Sequence, residues 1–195
     1  MTRLILIRHG ATAWTRQKRY QGYTDIPLSP SGQKQARRLG ERLGRCRISF
    51  FYTSALARAA QTAAILANGR KARLATDERI NEINFGAWEG KTARELVRAK
   101  EPSYLRWCKG SWVTPPGGES LRVFKKRIRN FLAEILKKHE GKTIAIVSHG
   151  GPIRMMMIQS LRLAPRFFWA LYIEPASVSV LDFNSGFARW VAVSE

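Results

Sequence analysis

Uninterrupted apolar runs mark the chain at two distant places, Leu4-Ile5-Leu6-Ile7 and Ile144-Ala145-Ile146-Val147. Runs of this length, rich in Ile and Val and without polar alternation, suit strands buried on both faces. Further strands are expected from Ile48 to Tyr52 and over residues 71–76. Elsewhere the apolar period is helical. Ser29-Pro30 opens a helix with apolar positions at Ala36, Leu39 and Leu43, closed by Gly44; Ser suits the N-cap and Pro the first turn. An alanine-rich helix is expected from about Ala55 to Asn68 and a short one from about Thr92. Leu121, Phe124, Ile128, Phe131, Leu132, Ile135 and Leu136 give the cleanest helical stripe, with Glu119 near its positive end. Another helix begins at Pro152, and its Met155-Met156-Met157 reads as packing surface. Polar loops are expected over residues 11–28, 77–90 and 109–118. A hairpin around Asn184-Ser185-Gly186 joins residues 178–181 to 187–193.

Strands alternating with helices predict an α/β fold, a three-layer α/β/α sandwich with a mostly parallel central sheet. The 195 residues match a single domain over 1–195, to which residues 77–118 add a small cap.

Composition narrows the function classes. An apolar share of 45% fits a globular protein, and no apolar stretch approaches the roughly 20 residues of a membrane helix. The N-terminus runs straight into a strand, without the apolar segment of about 7 to 15 residues found in a signal peptide, so a cytoplasmic location is expected. Cys46 and Cys108 belong to no close pair or Cys/His cluster, and neither a metal, a cofactor nor a disulfide is expected. The net charge of +20 comes from 34 Lys and Arg against 14 Asp and Glu. Residues such as Arg37, Arg38, Arg42, Lys125, Lys126, Arg129, Lys137 and Lys138 are spread over several helices. That spread favours a solvated basic surface, ahead of steering of phosphorylated small molecules and well ahead of nucleic-acid binding.

Two of the three histidines, His9 and His149, each follow one of the two long apolar runs and precede a glycine. In open α/β sheets ligands bind beyond the carboxyl ends of the strands, so the two imidazoles are expected to meet in one site. The same edge receives Arg8, Ser54, Ser148 and, in the first turns of the next helix, Arg58. Unpaired N–H groups at a helix start, joined by forked arginine donors, make a site for phosphate. His139, among Lys137, Lys138 and Glu140, reads as a solvated helix-end residue. Pro115 to Gly118 lacks the spacing of a nucleotide phosphate loop.

Six elements, in order along nearly the whole chain, resemble the histidine phosphatase superfamily, phosphoglycerate mutase-like branch. They are Arg8-His9-Gly10; Gln21-Gly22 with Asp25 and Leu28 before Ser31-Gly32; Ser54 to Thr62; Glu82 to Gly90; Gly117-Gly118-Glu119-Ser120; and Ser148-His149-Gly150-Gly151. The resemblance implies a phosphoglycerate mutase-like fold and a phosphomonoesterase acting on a small phosphorylated metabolite. His9 is the implied nucleophile, Arg8, Arg58 and His149 surround the phosphate, and Glu82 is the proton donor, with Glu78 and Glu89 as competitors. Thr15, Gln21, Gly22 and Gly150 are the implied substrate contacts. A histidine attacks through a neutral ring nitrogen, so the other nitrogen of His9 is expected to donate to a backbone carbonyl. Nearby arginines favour a charged carboxylate at Glu82, and a bound phosphate dianion is needed to offset them before it can give up a proton.

The family commonly reads Arg-His-Gly-Glu-Thr-x-Trp-Asn; here Ala11 and Thr15 replace the glutamate and the asparagine. Only 34 residues separate Glu82 from Gly117, shorter than the insertion the resemblance implies for a cofactor-dependent mutase. A phosphatase is therefore favoured, with α-ribazole 5′-phosphate or a broad range of monoesters as substrate. The alternatives are a phosphoglycerate mutase and a non-catalytic basic adaptor that binds nucleic acid. A homodimer is the family's common assembly.

Overall fold

The computed structural model describes residues 1–184 and 186–191. Both long apolar runs are central strands of one six-stranded sheet: β1 (Thr2–Arg8), β2 (Phe50–Thr53), β3 (Arg73–Thr76), β4 (Thr143–Ser148), β5 (Val178–Asn184) and β6 (Phe187–Val191). The order is β3-β2-β4-β1-β5-β6. The first four neighbours are parallel, while β5 runs antiparallel to β1 and forms the expected hairpin with β6. Ser185 and residues 192–193 of that expected hairpin lie outside the described residues.

The helices are α1 (Ala13–Arg16), α2 (Pro30–Arg42), α3 (Ala57–Ala67), α4 (Ala93–Arg98), α5 (Pro102–Cys108), α6 (Leu121–Lys138) and α7 (Gly150–Ser160). Side chains alternate across a strand, so Leu4, Leu6, Ile144 and Ile146 join the buried stripe of α6 and the apolar side chains of α7. Ile5, Ile7, Ala145 and Val147 face the other way, onto Leu39 of α2 and Ala59, Ala63 and Leu66 of α3. Helices on both faces bury both sides of the central strands, and so their sequence shows no polar alternation.

Several expectations shift. Ser29 caps α2 through the Gly32 amide as expected. The loop at 11–28 contains α1, a single turn closed by reciprocal hydrogen bonds between Thr12 and Thr15. The 77–90 loop holds 3-10 turns at Glu78–Ile80 and Gly86–Trp88. Beyond α4 lies α5, which no sequence pattern announces; it buries Tyr104 and Trp107 one turn apart and is capped by Glu101. The helix expected from Pro152 starts two residues earlier, with His149 as its N-cap.

His139 is a clear correction. It is buried, its Nε2 lies 2.9 Å from the Tyr52 hydroxyl, and its ring packs 5.0 Å from that of Phe50. It ends α6 as expected, but that helix end folds back onto β2 and takes the ring out of solvent.

Candidate active site

Parallel pairing places Arg8 opposite Ser148, so the next residues, His9 and His149, leave the sheet side by side. Their ring centroids are 5.0 Å apart, although 140 positions separate them in the chain. Both are buried, at 2% and 0% exposure.

The His9 Nδ1 lies 2.8 Å from the carbonyl oxygen of its neighbour Gly10. A carbonyl can only accept, so Nδ1 carries the hydrogen and Nε2 keeps its lone pair. Burial first, then the charges of Arg8 and Arg58, hold this imidazole well below the usual histidine range. The ring is thus neutral and oriented. The expectation of a backbone carbonyl on the second nitrogen is met.

Arg58, fully buried near the start of α3, donates through Nε to His149 Nδ1 (3.2 Å) and through its terminal nitrogens to the carbonyls of Gly22 (2.7 Å) and Thr24 (3.0 Å). Accepting at Nδ1 leaves the hydrogen of His149 on Nε2, which donates to Ser54 Oγ at 2.7 Å. Ser54 in turn donates to Asn81 Oδ1 at 2.8 Å. His149 is also held neutral, by burial and then by Arg58. With both nitrogens occupied, His149 orients Arg58 and Ser54 here and presents no free donor to a phosphate.

Arg8 donates to the Ile173 carbonyl, and its buried Nε has no partner. Neither Arg8 nor Arg58 pairs with a carboxylate among the described residues. Buried guanidinium groups without a counter-ion are costly, and a phosphate between them would offset that cost.

The Glu82 carboxylate accepts from the Ile83 amide (2.9 Å) and, at the start of α7, from the Gly151 amide (3.2 Å). A Cβ on Gly151 would collide with this carboxylate, so the glycine permits the approach. Three contacts pin the segment before Glu82. Ser148 Oγ donates to the Ile80 carbonyl (2.6 Å), Ser54 holds Asn81, and Arg127 on α6 donates to the carbonyls of Arg79, Asn81 and Glu82 at 2.6 to 2.9 Å. Glu119 anchors Arg127 by a two-pronged ion pair at 2.7 and 2.8 Å. The Gly-Gly-Glu-Ser element therefore acts at a distance, through Arg127. Of the competing acids, Glu78 is exposed and Glu89 is spent on the amides of Tyr23, Thr24 and Phe85.

Arg8, His9, Arg58, Glu82 and Gly150 line one cavity of about 490 Å³, together with Thr15 and Gln21. The Thr15 hydroxyl is committed to the α1 cap, donating to the Thr12 carbonyl at 2.8 Å. Gln21 accepts from the Thr12 hydroxyl at 3.0 Å through Oε1. Gly22 does not reach the cavity. Its φ of +52° and its crowding by Glu89 make it a turn residue that presents a carbonyl to Arg58.

Asn81, Arg127 and Arg154 carry little signal in the sequence. Arg127 sits inside the run Lys125-Lys126-Arg127-Ile128-Arg129, where only helical phase, three residues from Phe124 and four from Phe131, marks it as inward. Arg154 is the one charge in the apolar stretch from Ile153 to Ile158.

Two buried neutral histidines make folding stability sensitive to acid. Their folded-state values are depressed, so the unfolded chain binds more protons once pH falls below about 6.5. Stability is fully present above that pH and is lost below it, at up to about 1.4 kcal/mol per pH unit for each histidine. Urea titrations from pH 7.5 to 5 should show this slope, and His149→Gln should flatten it.

A sheet that brings a neutral, oriented histidine into one cavity with two arginines that form no ion pair among the described residues defines a phosphoryl-handling α/β protein. A profile of the histidine phosphatase superfamily (branch 1) matches residues 4–195, and the chain belongs to that superfamily. Phosphoserine phosphatase 1 of Hydrogenobacter thermophilus is 35% identical over 93% of this chain and 86% of its own length. The crystal structure of a mutant phosphoserine phosphatase from Entamoeba histolytica in complex with phosphoserine superposes with a TM-score of 0.85 at 31% identity, covering 98% of this chain and 96% of that one. The alpha-ribazole phosphatase from Shigella flexneri gives a TM-score of 0.89 at 28% identity, covering 99% and 96%.

Proposed function

We propose that the protein is a phosphomonoesterase that works through a phosphohistidine on His9. The observation that carries this reading is the Gly10 carbonyl on His9 Nδ1, which leaves Nε2 unprotonated in a cavity lined by Arg8 and Arg58. In the first step Nε2 attacks phosphorus in line and the bond to the ester oxygen breaks. The arginines balance the charge spread over the phosphoryl oxygens. Glu82 gives its proton to the leaving oxygen. In the second step Glu82, now a carboxylate, takes a proton from water as that water attacks phosphorus, and phosphate leaves with His9 restored. The 77–118 segment serves as the cap of a single domain. The protein acts as a cytoplasmic enzyme. No helix among the described residues is long and apolar enough to cross a membrane.

Phosphate release from a panel of monoesters, including α-ribazole 5′-phosphate and O-phosphoserine, tests the reading. Release without added cofactor is expected. No release from any monoester, with RNA binding that weakens steeply in salt, would point to the adaptor instead. Interconversion of 2- and 3-phosphoglycerate primed by bisphosphoglycerate would point to the mutase.

Proton donation by Glu82 has its own signature. Glu82→Gln should slow hydrolysis of alkyl phosphates by about 10²- to 10⁴-fold, and slow p-nitrophenyl phosphate, whose leaving group needs no proton, far less. Equal losses on both would remove Glu82 from the donor role.

A further inference from the structure

Beyond the groups that serve phosphate, the cavity wall holds one more arginine that has no hydrogen-bond or ion-pair partner among the described residues. Arg154 lies four residues after Gly150 on α7, one turn further along the same face and about 6 Å along the axis. Both residues line the cavity. The Arg154 Nε is buried without a partner, and its terminal nitrogens make no hydrogen bond among the described residues. Among the described residues no carboxylate forms an ion pair with it, although the charge of Glu82 across the cavity acts on it. Its guanidinium makes a cation–π stack, 5.5 Å from the Phe168 ring centroid.

Burying the Nε without a hydrogen-bond partner is a cost that the folded chain does not recover by itself, and the half-buried side chain leaves its terminal nitrogens open to the cavity. The fold nevertheless places this guanidinium against an aromatic ring in the wall of the reaction cavity. Arg8 and Arg58 already flank the place where the phosphoryl group meets His9. A single fork of donors one helical turn away matches a planar, singly charged group with two oxygens.

We propose that Arg154 is a specificity-determining residue that binds a carboxylate on the substrate, and that the enzyme acts on small phosphomonoesters carrying a carboxylate a few bonds from the phosphate. This rests on the phosphatase reading above and narrows it, because α-ribazole 5′-phosphate has no carboxylate. The aromatic wall of Phe85, Trp107, Phe168 and Trp169 lowers the local dielectric and strengthens the pairing.

Binding separates this proposal from catalysis. O-phosphoserine and O-phosphoethanolamine share phosphate and ammonium groups and differ only in the carboxylate. Titration calorimetry of the His9→Ala protein, which cannot form the phosphohistidine, should show phosphoserine bound about 10- to 100-fold more tightly. In His9→Ala/Arg154→Met that preference should fall to near unity, and His9→Ala/Arg154→Lys should keep part of it. The lysine form retains charge and length and guards against misfolding of the methionine form. Equal affinities for the two ligands in His9→Ala, or an undiminished preference in both double variants, would overturn the proposal. Release of phosphate from p-nitrophenyl phosphate by the unaltered protein tests the phosphatase reading separately, and its failure would leave the binding comparison standing.

Discussion

Alanine at His9 is expected to lower phosphomonoester turnover by at least about 10⁴-fold. Among the described residues lining the cavity, this imidazole alone offers a ring lone pair that the fold both orients and keeps unprotonated, through the Gly10 carbonyl on one side and burial among arginines on the other. Nothing nearby replaces it. His149 is equally buried, but its nitrogens are committed to Arg58 and Ser54. A loss of 10⁴-fold corresponds to about 5.5 kcal/mol of lost transition-state stabilisation. What remains is water attacking a phosphate that the arginines still polarise, so the loss should fall on kcat. Steady-state rates on p-nitrophenyl phosphate measure it, and a variant within about 100-fold of the parent protein would show that His9 is not the nucleophile.

Arg127→Met is expected to be the most damaging change outside the cavity. Arg127 and Glu119 form a largely buried pair, with side-chain exposures of 12% and 7%. Removing the arginine strands that carboxylate and frees three carbonyl oxygens at residues 79, 81 and 82. Breaking a buried pair from one side costs about 3–5 kcal/mol, which at this chain length lowers Tm by roughly 6 to 20 °C. Activity should fall as well, because the freed carbonyls belong to the segment that aims Glu82. Removing Glu119 together with Arg127 should restore part of the stability but not the activity, since the carbonyls stay unheld. A thermal melt within about 2 °C of the parent protein would contradict the clamp.

The sequence makes the strands and the paired histidines legible for one physical reason. Central strands of a doubly covered sheet must be apolar throughout, and Leu4 to Ile7 and Ile144 to Val147 satisfy this without ambiguity. A polar residue placed directly after such a run lands at the sheet edge, where ligands bind. What failed depends on phase and on long-range contact. Helix α5 is only seven residues long and capped by a glutamate, so only the burial of Tyr104 and Trp107 in the core reveals it. His139 looks solvated among lysines until the fold brings Tyr52 and Phe50 onto it. Gly22 sits in a motif with a ligand-binding look, and only the fold reveals the turn by which it also aims a carbonyl at Arg58. Arg127 and Arg154 resemble the many surface cations of a chain with charge +20, and their buried faces appear only in three dimensions.

Rapid acid and alkaline quenching of the protein with a ³²P-labelled monoester during the first turnover tests the phosphohistidine most directly. The expected result is a protein-bound label that survives alkali, is lost in acid, maps to the peptide containing His9 and forms at least as fast as steady-state turnover. Turnover with no such label on the protein, or a label that maps to any residue other than His9, would contradict the account.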